Sequence, residues 1–193
     1  GVTKAGMPAL NVFVLAVLAA LPFAASAADG ISYNYVQGGY VATNPNHGTN
    51  ADGWGLDGSV AIHENFHLFG GWQNQEFDDT NFDFDQYRIG VGYNHPIASK
   101  VDLLTRVAYE KVDAGNAFDV DGYSMEVGVR GAANAMFEGY AMAGFEDYEQ
   151  ADGDFYGKLG AQAKFNPNWG VAAEVKFIQG GDKQWFVGPR FTW

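Results

Sequence analysis

Cysteine is absent from the 193-residue chain, which excludes a disulfide scaffold, thiolate-ligated zinc and thiol catalysis. Bases are scarce. Eleven Lys and Arg against 23 Asp and Glu leave a net charge of −12, which makes nucleic acid a poor partner. Only 18% of residues are charged, yet 47% are hydrophobic, so a disordered chain is excluded as well. Beyond the first thirty residues no apolar run approaches the roughly 20 residues of a membrane helix. If the exported chain enters a membrane, it must do so as a barrel. Plentiful instead are aromatics (16%) and glycine (26 residues), a mixture that disfavours helix and suits strands.

The opening segment reads as a targeting sequence. Lys4 supplies a basic n-region, an apolar stretch from Leu10 to Leu21 is broken only by Asn11, and Pro22 follows. Ala25-Ser26-Ala27 then fits a small-residue cleavage site. A membrane anchor is the competing reading, but the apolar stretch is short and ends in a peptidase-type site. The expected organisation is a signal peptide over 1–27 and a mature barrel over 28–193, starting at Ala28.

From Ile31 onward apolar and polar residues alternate in runs of about ten, near 31–42, 53–62, 66–77, 83–94, 101–112, 119–131, 136–148, 154–165, 169–179 and 184–193. Each matches the roughly 9–11 residues of a tilted transmembrane strand. The breaks alternate strictly. Tight ones fall at Glu64-Asn65, around His95-Pro96, at 132–135 and at 166–168; longer or acidic ones fall at 43–52, 78–82, 113–118, 149–153 and 180–183. Outer-membrane barrels have this asymmetry, with tight periplasmic turns and longer external loops. The predicted fold class is all-β: an antiparallel up-and-down transmembrane barrel of about ten strands, with eight as the alternative count.

The two faces of the runs differ in kind. On one lie sets such as Trp54, Leu56, Gly58, Val60 and Ile62, or Tyr123, Met125, Val127 and Val129, without a charge and with aromatics toward the ends. That is a lipid face between two girdles. The other face carries seven acids (Asp57, Asp102, Glu110, Glu126, Glu138, Glu146, Glu174) and seven bases (Arg88, Arg106, Arg130, Lys158, Lys164, Lys176, Arg190). A narrow, low-dielectric lumen needs its charges paired, so this balance predicts a plugged interior. Inward Gly90, Gly92, Gly128 and Gly160 are expected to make room for long Arg and Lys chains. Arg106 is expected to meet a carboxylate, with Glu126 on the sixth run its partner.

The last strand carries Trp185, Val187, Pro189, Phe191 and Trp193 on its lipid face. Gly188, Phe191 and Trp193 resemble the signal by which the barrel-assembly machinery recognises outer-membrane proteins; Phe186 departs from it, since a polar residue is usual there. Pro189 donates no ladder hydrogen bond, which suits an edge or closure position.

Several stretches together resemble one family: LAALPFAASA (18–27), ISYNY (31–35), SVAIH (59–63), DLLTRVAYEK (102–111), FEGYAMAG (137–144) and WFVGPR (185–190). They are similar to small xanthomonad outer-membrane proteins described as activators of rice immunity or as a sulfation-dependent quorum factor. The resemblance implies an outer-membrane barrel with a link to quorum sensing or host recognition, and it maps the family's sulfated tyrosine onto Tyr33. The residues themselves place Tyr33 in the first strand, as a periplasmic girdle residue, and only Asp29 supplies a nearby acid.

Catalysis finds little support. Asp78 and Asp79 share the external end with His47, while His63, His67 and His95 fall at the periplasmic end, and neither Ser59 nor Ser124 has a His at matching height. No enzyme, cofactor or catalytic residue is expected. Fourteen of the 23 acids, among them Asp78, Asp119, Asp152 and Asp182, fall at the external end. Carboxylates there could bind divalent cations bridging lipopolysaccharide phosphates; a solvated, self-repelling rim is the preferred reading. Two function classes remain, a structural or surface-interaction barrel and a narrow channel for small solutes.

Overall fold

The computed structural model describes residues 27–149 and 151–193. Ten strands follow one another: β1 (Tyr35–Asn44), β2 (Ala51–Ala61), β3 (Phe66–Phe77), β4 (Asp83–Ala98), β5 (Val101–Asp113), β6 (Asp119–Ala132), β7 (Phe137–Tyr148), β8 (Asp154–Lys164), β9 (Trp169–Ile178) and β10 (Lys183–Thr192). Each pairs antiparallel with its chain neighbours, and β1 pairs with β10 to close the barrel. Closure leaves no exposed edge, so every strand finds backbone partners on both sides, as hydrocarbon surroundings demand. The alternation of the sequence is therefore that of a ten-stranded barrel, not an eight-stranded one.

The pleat places Ile89, Met125, Val127 and Leu159 on the outside, each about half exposed. Toward the ends of the strands stand Trp54, Phe155, Phe165, Trp169 and Trp185, all exposed. Ring contacts join neighbours in these bands: Phe145 with Phe155 at 5.1 Å and Trp169 with Phe191 at 5.0 Å. Two aromatic belts thus flank an aliphatic waist.

Two boundaries differ from the sequence reading. The first strand starts at Tyr35 rather than Ile31, because residues 31–34 turn inward and bond to side chains and chain ends instead of a strand. Tyr33 is consequently fully buried and not a girdle residue. The turn expected around His95-Pro96 sits later, at 99–100. Strand β4 continues through Ala98, with a register shift between Pro96 and Ala98 that absorbs the proline.

Closure involves a close approach. The β1–β10 pairing runs from Tyr35↔Thr192 to Asn44↔Lys183 but is interrupted between Gln37↔Arg190 and Tyr40↔Val187. There Gly39 and Gly188 face each other, and a Cβ on Gly188 would lie 2.6 Å from the Gly39 Cα. Pro189, without an N–H, falls in the same interruption.

The start of β1 and the end of β10 share the end with the tight turns, 62–65, 99–100, 133–136 and 165–168. By the loop asymmetry this end is periplasmic. Epitope tags at Asp152 should then be reached by antibody on intact cells, and tags at Asn166 only after permeabilisation. The reverse pattern would invert the orientation.

Candidate functional site: the filled interior and its periplasmic mouth

Alternation turns polar side chains inward, and closure gathers them into one space. The charges are not paired one to one. Glu126 takes Lys158 at 3.1 Å and Arg88 at 3.8 Å. Glu138 receives two bonds from Arg130, at 2.7 and 3.1 Å, and has Lys164 and Arg190 each at 3.9 Å. Glu146 holds Lys176 at 2.8 Å. Six of the seven inward bases thus converge on three acids. Most of these pairs skip a strand, as in Glu126 of β6 with Lys158 of β8.

The remaining acids are served by neutral donors. Glu110 accepts from Gln86 at 3.2 Å and Tyr148 at 3.3 Å. Glu174 accepts from the Tyr140 hydroxyl. Asp102 accepts the Tyr33 hydroxyl at 2.9 Å and the Ala28 backbone N–H at 3.0 Å. Asp57 has no Lys, Arg or His nitrogen within 4.0 Å among the described residues, and it fits only because position 71 is glycine.

Arg106 corrects its expectation. It stands directly across the ladder from Glu126, yet no carboxylate lies within 4.0 Å among the described residues. Its guanidinium donates to His67 Nε2 at 3.1 Å and to the Tyr35 hydroxyl at 3.3 Å, and it lies 4.5 Å over the Phe69 ring. Glu126 is already held by Lys158 and Arg88. An arginine can be satisfied by neutral acceptors and an aromatic face, so parity alone did not decide its partner.

The inward glycines also serve other neighbours than expected. A Cβ on Gly92 would strike the His67 ring at 2.1 Å, and one on Gly160 would strike the Tyr140 ring at 2.1 Å. Gly90 and Gly128 likewise abut Phe69 and Met142. The nearest side chains to these four glycines are thus rings and a thioether, and at Gly90 and Gly128 the carbonyls of Val107 and Ala141 approach closer still.

At the periplasmic mouth, Ala28, Ile31, Tyr33 and Asn34 are buried within the barrel, while Asp29 and Gly30 stay exposed at its rim. Ala28, Ile31 and Tyr33 pack with Leu104, Ala132 and Met142 in one buried cluster. A tight turn over 28–31 is closed by the Ile31 N–H on the Ala28 carbonyl at 3.1 Å, with Gly30 at φ +82°, the left-handed position such a turn requires. The Tyr33 ring stacks on His67 at 4.4 Å, and the Arg130 guanidinium covers it at 4.9 Å. Burial above all, with the Asp102 carboxylate adding to it, holds the Tyr33 phenol above its ordinary range. His67 accepts from Arg106 at Nε2, which leaves Nδ1–H to donate to Asn94 Oδ1 at 2.9 Å.

Above this layer lie two small cavities, of about 70 and 80 Å³. Asp57, Arg88, Lys158 and Glu174 border both. At roughly 10–15 Å³ per water, each has room for a few waters.

Sequence reasoning found the inward acids and bases but missed His67, Asn94 and the tyrosines at 140, 148 and 156 that complete the interior. Their signal was present, since each shares the inward parity of its strand. At the last strand, Phe191 and Trp193 join the aromatic belt, their rings 6.2 Å apart, and Phe186 turns inward onto Val41 and Ala172. At the external rim, no group of three or more His, Asp or Glu among the described residues could hold one metal ion. The cleavage stretch at Ala25-Ser26 lies outside the described residues.

An apolar waist between aromatic belts around a salt-bridged interior defines a small membrane-spanning β-barrel. The chain matches the outer membrane protein beta-barrel domain over residues 13–187, and it belongs to that family. It is a protein of the bacterial outer membrane. No curated protein is similar to it in sequence. Among solved structures it is similar to the KdgM porin in complex with disordered oligogalacturonate, at 11% identity and a TM-score of 0.47, covering 84% of this chain and 99% of that one. It is similar also to the translocator domain of the autotransporter NalP from Neisseria meningitidis (12%, TM-score 0.45, covering 99% and 97%). A third is Ail, the attachment invasion locus protein of Yersinia pestis (12%, TM-score 0.39, covering 83% and 100%).

Proposed function

We propose that the barrel is an occluded structural or surface-interaction protein and not a solute pore. The observation that carries this reading is the periplasmic mouth, filled by residues 28–34 with Tyr33 fully buried among His67, Arg130 and Asp102. The charge clusters around Glu126 and Glu138 and the small volume of the cavities support it. What remains for contact with the surroundings is the outer rim, where acidic loops face outward.

The resemblance to the xanthomonad family adds a link to quorum sensing or host recognition, acting through those loops. In the folded barrel the Tyr33 hydroxyl is engaged and enclosed, so its sulfation would have to precede folding. The alternative is a narrow channel. It draws on the two polar cavities, which displacement of residues 28–34 would join to the periplasm. The test is planar-bilayer recording on refolded protein. No steady conductance above background is expected, and a large, stable conductance would leave the channel reading standing.

A further inference from the structure

We propose that Asp102 is the receptor for the amino terminus of the mature protein, so that removal of the signal peptide creates the charge that anchors the segment in the mouth. Asp102 is fully buried, and no Lys, Arg or His nitrogen lies within 4.0 Å of its carboxylate among the described residues. Arg130 stands directly across the ladder from it, but that guanidinium is turned to Glu138 in a two-bond pair. A buried carboxylate left with neutral donors alone is costly. One of its two donors is the Ala28 nitrogen, at 3.0 Å.

Ala28 is also the residue at which the Ala25-Ser26-Ala27 pattern predicts cleavage. Hydrolysis of the 27–28 peptide bond adds water across it, freeing a carboxylate on Ala27 and an amine on Ala28 that takes up a proton. The nitrogen already on Asp102 Oδ1 thereby changes from a neutral amide into an ammonium. The missing counter-charge appears where the lone acid needs it.

The geometry around Ala28 is that of a seat. The Asp29 N–H donates to the Ser99 carbonyl at 2.8 Å, and Lys164 Nζ donates to the Gly30 carbonyl at 2.8 Å. The Tyr33 hydroxyl takes the second Asp102 oxygen. Three parts of the rim thus fix the turn that presents the nitrogen. The inference stands on the seated segment, whether or not the barrel conducts.

The experiment begins with amino-terminal sequencing of the protein extracted from outer membranes, where Ala28 is the expected first residue. Any other start would overturn the proposal. The folded protein is then treated with an amine-acylating ester at neutral pH, and the Ala28 amine is read by mass spectrometry. Acylation at least tenfold slower than in the urea-unfolded chain is expected, and a rate equal to that chain's would overturn the proposal. Asp102→Asn should bring the folded rate near the unfolded one. Should that variant not fold, a chain refolded with one glycine ahead of Ala28 keeps Asp102 but displaces the amine. Its urea midpoint should fall and its amine should acylate quickly. An unchanged midpoint with slow acylation would sink the idea.

Discussion

Glu138→Ala is expected to destabilise the refolded barrel by about 3–5 kcal/mol, the usual effect of removing one partner from a buried ion pair. The side chains of Glu138 and Arg130 are only 4% and 5% exposed, and Lys164 and Arg190 share the same carboxylate. Its loss removes the one carboxylate within 4.0 Å of Arg130 among the described residues and leaves Arg130, Lys164 and Arg190 without the acid they share. The comparison is Asp119→Asn at the outer rim. There Lys111 and Asp119 lie 3.5 Å apart with side chains 36% and 54% exposed, and such a pair is worth roughly 0–1 kcal/mol. Urea unfolding in detergent micelles should separate the two variants clearly. Equal midpoints would mean that water reaches the Glu138 cluster freely, and the interior would then be a wet pore.

Leu159→Arg is the second large effect. Leu159 lies midway along β8 and is 53% exposed, facing outward. In water such a substitution on an exposed site would be nearly neutral. At the middle of a hydrocarbon layer it costs about 2–4 kcal/mol, falling to about 0–1 near the interfaces. Phe165, just beyond the periplasmic end of β8, supplies the depth control. Refolding into vesicles should therefore show Leu159→Arg strongly destabilised and Phe165→Arg little changed. If both were neutral, the outer surface would not be lipid-facing.

The strands were legible because a barrel wall has only one pattern to obey. Period-2 alternation with uncharged outward residues located eight of the ten strands to within two residues of both ends, with β1 and β4 each displaced by four at one end. The start of β1 shows the limit. ISYNY over 31–35 alternates like a strand, but the Tyr33 hydroxyl finds Asp102 and its ring finds His67, partners 69 and 34 positions along the chain. Alternation records which side a residue faces and carries no information about where a segment leaves the sheet. The interior has a similar limit. Parity told that Arg106 and Glu126 both point inward, and their backbones are indeed paired. Long side chains in a closed space reach past their nearest neighbour, however. Lys158 thus came to Glu126 from two strands away, while Arg106 settled on His67 and Tyr35. Partner choice inside a barrel depends on its circumference, which no local stretch of sequence contains.

The bonds between Trp193 and the segment before β1 impose an order on folding. Ser32 Oγ donates to the Trp193 carbonyl at 3.1 Å, and the Trp193 N–H donates to the Asn34 carbonyl at 3.1 Å. These bonds join Trp193 to the segment that enters the mouth, and Tyr35↔Thr192 begins the closing ladder beside them. Loop closure over the 161 positions between Ser32 and Trp193 is the slowest contact to form by entropy alone. The amino-terminal residues are made first yet can be tied down only when the final strand arrives. Until that moment the Ala28–Asn34 segment lacks its latch on Trp193, and removal of Trp193 would abolish that latch while retaining every strand.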